Sequence, residues 1–211
     1  MFAVEERLAE YERWRAEREQ LVEQGSVPSL RVQTATSWAA EAAALGIDDA
    51  IASASGIEVV HIAGAEGRPR GPRFGTLVHA ILAIVPLDAS EGIIRRTAEV
   101  QARIINSPLE EVIAAAHAVR TVLQHELMAR ARSSSRVRRE TPITWTQNDG
   151  TLIEGVLDLA FDEQDLTTVV DFKTDHELSS GEARYRAQLQ KYIDAVAAAT
   201  DRRVAGVLFK V

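Results

Sequence analysis

The spacing of apolar and polar positions changes character near residue 140. Before it, apolar residues recur at helical intervals. Residues 3–24 place Val4, Leu8, Tyr11, Trp14 and Leu21 near one stripe among Glu and Arg, which predicts a solvent-facing amphipathic helix ending near Gly25 and Pro28. A helix of that polarity reads as a connector that needs a neighbour to pack on. "TSWAAEAAALG" predicts a second helix, with Thr36 or Ser37 as N-cap and Gly46 as its stop. "GIEVVHI", residues 56–62, predicts a short strand before a Gly/Pro/Arg loop. "FGTLVHAILAIV", residues 74–85, is apolar on most sides and predicts a buried helix whose one polar interior side chain is His79. Two long helices follow, "SEGIIRRTAEVQARII" and "SPLEEVIAAAHAVRTVLQHELMARA". The second is expected to take Ser107 as N-cap, Pro108 at its first helical position, and Glu110 and Glu111 in its first turn.

After Arg139 the period becomes two. "ETPITWTQ", "TLIEGVLDLAF" and "LTTVVDFKT" predict three strands joined at residues 148–150 and 162–165, a β-meander. "SGEARYRAQLQKYIDAVAAAT" predicts a helix ending near Asp201, and "VAGVLFKV" a last buried strand suited to parallel pairing. The predicted class is α/β, with a central mixed sheet flanked by helices and additional helical segments at the N-terminus.

A chain of 211 residues, 46% of them hydrophobic, suffices for one main domain and an extension. The chain has no cysteine, which excludes disulfides, Cys-ligated zinc and iron–sulfur clusters and suits a cytoplasmic setting. The N-terminus is charged throughout, and no segment approaches the ~18 consecutive apolar residues of a membrane span, so neither signal peptide nor membrane anchor is expected. The net charge of −7 counts against a protein that coats itself in nucleic acid. Within that total, "RARSSSRVRR" at 130–139 holds five arginines, and "GRPRGPRF" at 67–74 holds Arg68, Arg70 and Arg73. Each strip reads either as phosphate-binding surface or as a solvated charge run.

The chemistry gathers in the second half. Along a strand, Asp171 and Lys173 point to one face and Val170 and Phe172 to the other. Glu154, Val156, Asp158 and Ala160 are expected to share a face of the preceding strand, and a short hairpin would set Asp158 beside Asp171. Two adjacent carboxylates repel, and a divalent cation between them removes that cost, with the nearby Lys173 suited to a phosphate oxygen or an attacking water. A surface salt bridge is the plainer alternative. His79 reads either as a satisfied core histidine or as a third ligand, with Gly75 and Ala83 leaving room one turn away. Two Asp and a neutral imidazole would suit Mn²⁺ at least as well as Mg²⁺. Tyr185, Gln188 and Tyr192 lie on one helical face, which by itself is as consistent with core.

Taken in order, "GTLVHAIL", "GVLDLAF", "VVDFKTD" and "YRAQLQKY" resemble the RecB-type nuclease family within the PD-(D/E)XK superfamily, over about residues 31–211. The "RPRGPRFGTLVH" lead-in is most similar to the C-terminal nuclease domain of RecB- and AddA-like, UvrD-related helicase–nucleases. The resemblance implies a restriction-endonuclease-like core and metal ligation by His79, Asp158, Asp171 and the backbone carbonyl of Phe172. It implies a catalytic Lys173, and Gln188 and Tyr192, with Tyr185 on the same face, near DNA. Arg136, Arg138 and Arg139 are expected to contact DNA phosphates, and Glu140, in "RRETP", to stand behind the site. The expected activity is a Mg²⁺- or Mn²⁺-dependent deoxyribonuclease of recombination and repair, exonucleolytic and favouring single strands. The alternative is an inactive DNA-binding or scaffolding module. The chain contains no "GxxxxGK[ST]" loop, so ATP would be handled by a partner helicase motor, tethered through residues 1–30.

Overall fold

The computed structural model describes residues 2–44, 57–62, 68–147 and 149–211. Among these, α1 (Phe2–Ser26) is exposed at every position whose burial is described, and β1 (Val32–Thr34) runs directly into α2 (Ala35–Ala44). The cap of α2 is Thr34, whose Oγ1 accepts the Ser37 N–H at 3.0 Å, so the cap falls earlier than the expected Thr36 or Ser37. Gly46, expected to stop this helix, lies outside the described residues, as does Gly56 at the start of the next expected strand. Then come β2 (Ile57–His61), α3 (Pro72–Ile84), α4 (Glu91–Ile105), α5 (Leu109–Gln124), α6 (Glu126–Ser133), β3 (Val137–Thr146), β4 (Leu152–Glu163), β5 (Leu166–Lys173), α7 (Asp175–Thr200) and β6 (Arg203–Lys210).

Local chemistry explains most boundaries and corrects two. Pro72 occupies the first turn of α3, where its missing N–H costs nothing. The chain leaves α4 through Asn106 in the left-handed region (φ 58°), so Pro108 stands just before α5 as its cap residue rather than inside it. The single long helix expected over 107–131 breaks at His125, whose extended backbone ends α5 and whose Nδ1 accepts the Leu127 N–H at the start of α6. β3 begins at Val137, inside the arginine strip.

The sheet is mixed and six-stranded, in the order β1-β4-β5-β6-β2, with β3 on the other side of β4. β3, β4 and β5 form the expected antiparallel meander, and β6 runs parallel to both β5 and β2. One face packs on α3–α6 through Leu77, Ile81, Val119, Met128, Phe161 and Phe209. The other packs on α2 and α7 through Ile153, Leu157, Val169, Leu189 and Leu208. With helices covering both faces, the central strands read as continuous apolar runs. No described helix is long and apolar enough to cross a membrane.

Two polar knots tie the layers. Arg139 donates to the carbonyls of Leu82, Ala83 and Val85, satisfying the C-terminal end of α3 from β3. The Asp162 carboxylate accepts from both Arg138 amino groups (3.1 and 3.0 Å) and from the Thr167 hydroxyl (2.9 Å), while the Asp162 N–H donates to Ser134 Oγ. The Arg138 hydrogen bond holds the Asp162 carboxyl below its ordinary 3.8, against the opposing effect of burial. A depressed folded-state value gives stability that is complete above pH ~4 and lost as pH falls through the native value. Asp162→Asn is therefore expected to cost about 2 kcal/mol at neutral pH. In urea titrations, its gap from the unmodified protein should close as pH drops below the ordinary carboxylate range.

Candidate active site

The site forms where β4 changes partner. On one side, β4 pairs with β3 along its length. On the other it pairs with β1 through Glu154 and with β5 only from Leu159 onward. Asp158 stands at the gap. Ile153 and Leu157 pack on the α7 face together with Ala160, while Leu159 and Phe161 pack on the α3 face, so strict alternation fails at residue 158. The β3 register is the same before and after, and Glu140, opposite Asp158, takes φ 44°. Each strand thus carries one residue out of step, in a backbone region that a glutamate rarely occupies. The expectation that Glu154, Val156, Asp158 and Ala160 share one face is corrected accordingly: Ala160 faces α7.

The displaced Asp158 reaches into the parting strands. Its Oδ2 accepts the Phe172 N–H at 2.8 Å, where β5 no longer pairs with a β4 carbonyl. Its Oδ1 lies 3.6 Å from His79 Nδ1 on α3, a separation long for a hydrogen bond. Burial alone would raise the Asp158 carboxyl, but His79, Lys173 and the Phe172 N–H together hold it low. Burial alone would likewise lower the His79 imidazole, and Asp158 outweighs it. Asp171 and Lys173 share the α7 face as expected, with Lys173 Nζ 2.7 Å from Asp171 Oδ2. Burial pushes the Asp171 carboxyl up to about 6, against the pull of Lys173. Lys173 Nζ also lies over the Tyr185 ring, 4.8 Å from its centroid.

This arrangement sits inside the stretch, residues 56–211, that matches the family model described as the PD-(D/E)XK nuclease superfamily. The chain belongs to that superfamily. It is also similar to one subunit of an ATP-dependent helicase/nuclease of Streptococcus sanguinis (strain SK36), at 29% identity over 143 residues. That similarity covers 63% of this chain and 11% of the relative's length. The α/β core with helices on both faces of a mixed sheet is consistent with the restriction-endonuclease-like fold of the superfamily.

Among the described residues, no three His, Cys, Asp or Glu side chains are gathered as a ready cage for a metal ion. The chemistry of the residues nevertheless fits a divalent cation. Superfamily nucleases generally use one, and two carboxylates and an imidazole are oxygen and nitrogen donors that suit a hard or borderline ion. Asp171 Oδ2 is buried, with the Lys173 ammonium 2.7 Å away. Glu140 adds a further carboxyl, raised by burial and then by Asp158.

Tyr185, Gln188 and Tyr192, the row expected near DNA, are all buried in this structure. Gln188 Nε2 donates to Tyr192 Oη at 2.9 Å, and Tyr192 packs on Gly155 so tightly that a Cβ there would meet its ring at 2.5 Å. This accounts for the glycine in "EGVLD". Gly155→Ala should cost about 1–3 kcal/mol by displacing Tyr192, and Tyr192→Ala in the same chain should recover part of it; thermal melts of both variants check this.

The arginine strip is largely occupied. Arg138 pairs with Asp162, Arg139 holds the end of α3, Arg130 pairs with Glu163 (2.7 Å) and Arg132 donates to the carbonyls of Leu87 and Leu123. Arg73 likewise forms a two-pronged pair with Glu111. Of the three arginines expected on DNA phosphates, Arg136 is exposed, while Arg138 and Arg139 are part-buried and bonded within the fold. Arg139→Ala should cost about 2 kcal/mol and Arg136→Ala less than about 0.5, as measured by chemical denaturation.

Proposed function

We propose that this chain is a divalent-metal-dependent DNA nuclease domain that hydrolyses phosphodiester bonds, favours single strands and acts as an exonuclease in recombination and repair. The observation that carries the reading is the meeting of Asp158, Asp171, Lys173 and His79 at the gap between β4 and β5. His79, Asp158, Asp171 and the Phe172 carbonyl would hold Mg²⁺ or Mn²⁺, which supplies Lewis acidity and an acidified water when bound. Lys173 supplies a positive charge in a nearly closed environment, where it acts more strongly on developing phosphate charge than it would in water. Tyr185 lies under that ammonium and fixes where it points. The Phe172 N–H orients Asp158, and Tyr192 with Gln188 supports the strand from below.

The domain in this reading spans residues 31–211. β1 and α2 belong to it because β1 extends the sheet beside β4 and α2 packs on the α7 side. α1 is the connector: Val4, Leu8, Tyr11, Trp14 and Leu21 are each more than half exposed along it. The similarity to part of a much longer helicase/nuclease chain supports a helicase motor as its partner and DNA as its substrate.

Lys173→Ala is expected to keep Mn²⁺ binding and to lower cleavage by about 10²-fold or more. Asp171→Asn should lose both. The amide is the preferable change, since it keeps an oxygen acceptor beside the Lys173 ammonium, which Asp171→Ala would remove. The measurements are calorimetric Mn²⁺ titration beside cleavage of a labelled single strand, with a chelator control. Wild-type cleavage by Lys173→Ala, or unchanged Mn²⁺ affinity in Asp171→Asn, would make the pair structural and the chain a DNA-binding scaffold.

A further inference from the structure

Among the described residues, Arg184 on α7 is the cation beside the site that the fold does not explain. Its Nη2 donates to Tyr185 Oη at 2.8 Å, and its guanidinium carbon lies 4.9 Å from the centroid of the Tyr185 ring. The same ring carries Lys173 Nζ at 4.8 Å, so two cations gather around one aromatic side chain. Lys173 is matched by Asp171. Arg184 forms no ion pair among the described residues, and its Nε is buried without an acceptor. The guanidinium lies against Gly181, where α7 leaves helical geometry and where a Cβ would sit 3.7 Å from both Nε and Nη2. A part-exposed guanidinium with no acidic partner among the described residues is suited to an anionic ligand.

We infer that Arg184 is a phosphate-gripping residue of this site, taking the non-bridging oxygens of one DNA phosphodiester and so setting the strand's position relative to Lys173. A guanidinium offers several N–H donors in one plane, and Arg184 is only part-buried, so a phosphate can meet the donors that Tyr185 and Gly181 leave open. Tyr185 holds the fork in place through its hydroxyl, and the ring couples Arg184 to the ammonium that acts on the phosphate. This inference rests on the nuclease reading for the identity of the anion. It concerns a residue outside the proposed metal ligands.

The test uses the full chain with a labelled single-stranded oligonucleotide, in chelator so that binding is read without cleavage. Arg184→Ala should bind on the order of tenfold more weakly, with the slope of log K against log salt falling by ~0.7. Arg184→Lys should restore the slope without the full affinity, since an ammonium keeps the charge but not the fork. A series of oligonucleotides, each with one neutral methylphosphonate, supplies the decisive arm. One position should weaken the unmodified protein and leave Arg184→Ala unaffected, as expected for partners in a single contact. If Arg184→Ala and the unmodified protein share the same salt slope and methylphosphonate profile, Arg184 only braces Tyr185 and the inference is overturned. If the Arg184-dependent contact is present but Mg²⁺ or Mn²⁺ elicits no cleavage, the nuclease reading fails and the contact stands.

Discussion

The rest of the site depends on a single hydrogen bond, from the Phe172 N–H to Asp158 Oδ2. Strands β4 and β5 are paired up to Leu159 and Val170 and then part, and a buried N–H on the parting strand needs an acceptor. The Asp158 carboxylate stands in for the missing backbone carbonyl. That role requires Asp158 to leave the ordinary alternation of β4, and the matching displacement on β3 is absorbed by Glu140 in its left-handed conformation. Asp158 thereby presents one oxygen to His79 on α3 and the other to the β5 backbone.

Charge in this pocket is balanced pairwise. Lys173 faces Asp171 and His79 lies beside Asp158, so each of the two carboxylates has a nitrogen partner of its own. Such pairs are versatile because removing or adding one charge changes every neighbour. The opposite directions of the two carboxyls show this: Asp158, with an N–H and an imidazole at hand, is held low, while the more deeply buried Asp171 is pushed up. Arg184 stands outside this balance, with Tyr185 rather than a carboxylate as its partner.

The surface shows the reverse relation between charge and function. The densest arginine strip in the chain is mostly consumed by structure, with Arg130, Arg132, Arg138 and Arg139 tying α6, β3 and β4 to neighbouring elements. Arginine suits this work because its fork can satisfy several carbonyls or one carboxylate with two bonds. A run of like charges in sequence is therefore a poor guide to a binding face when a strand passes through it and turns successive side chains to opposite sides.

What the amino-acid sequence determined by itself is the set of elements and the donor set. Helical spacing marks α3–α6, alternation marks the meander, and "VVDFK" places Asp171 and Lys173 together on one face, because each of these signals depends only on residues a few positions apart. The tertiary structure decided what those residues meet. The break at His125, the start of β3 within the arginine strip and the switch of β4 from β1 to β5 come from packing against elements far away in the chain. The burial of Gln188 and Tyr192 behind Gly155, and the placement of Arg184 beside Tyr185, likewise arise only when α7 is laid across the sheet. Periodicity records which face a side chain takes; the partner on that face is chosen by long-range contacts that no local pattern carries.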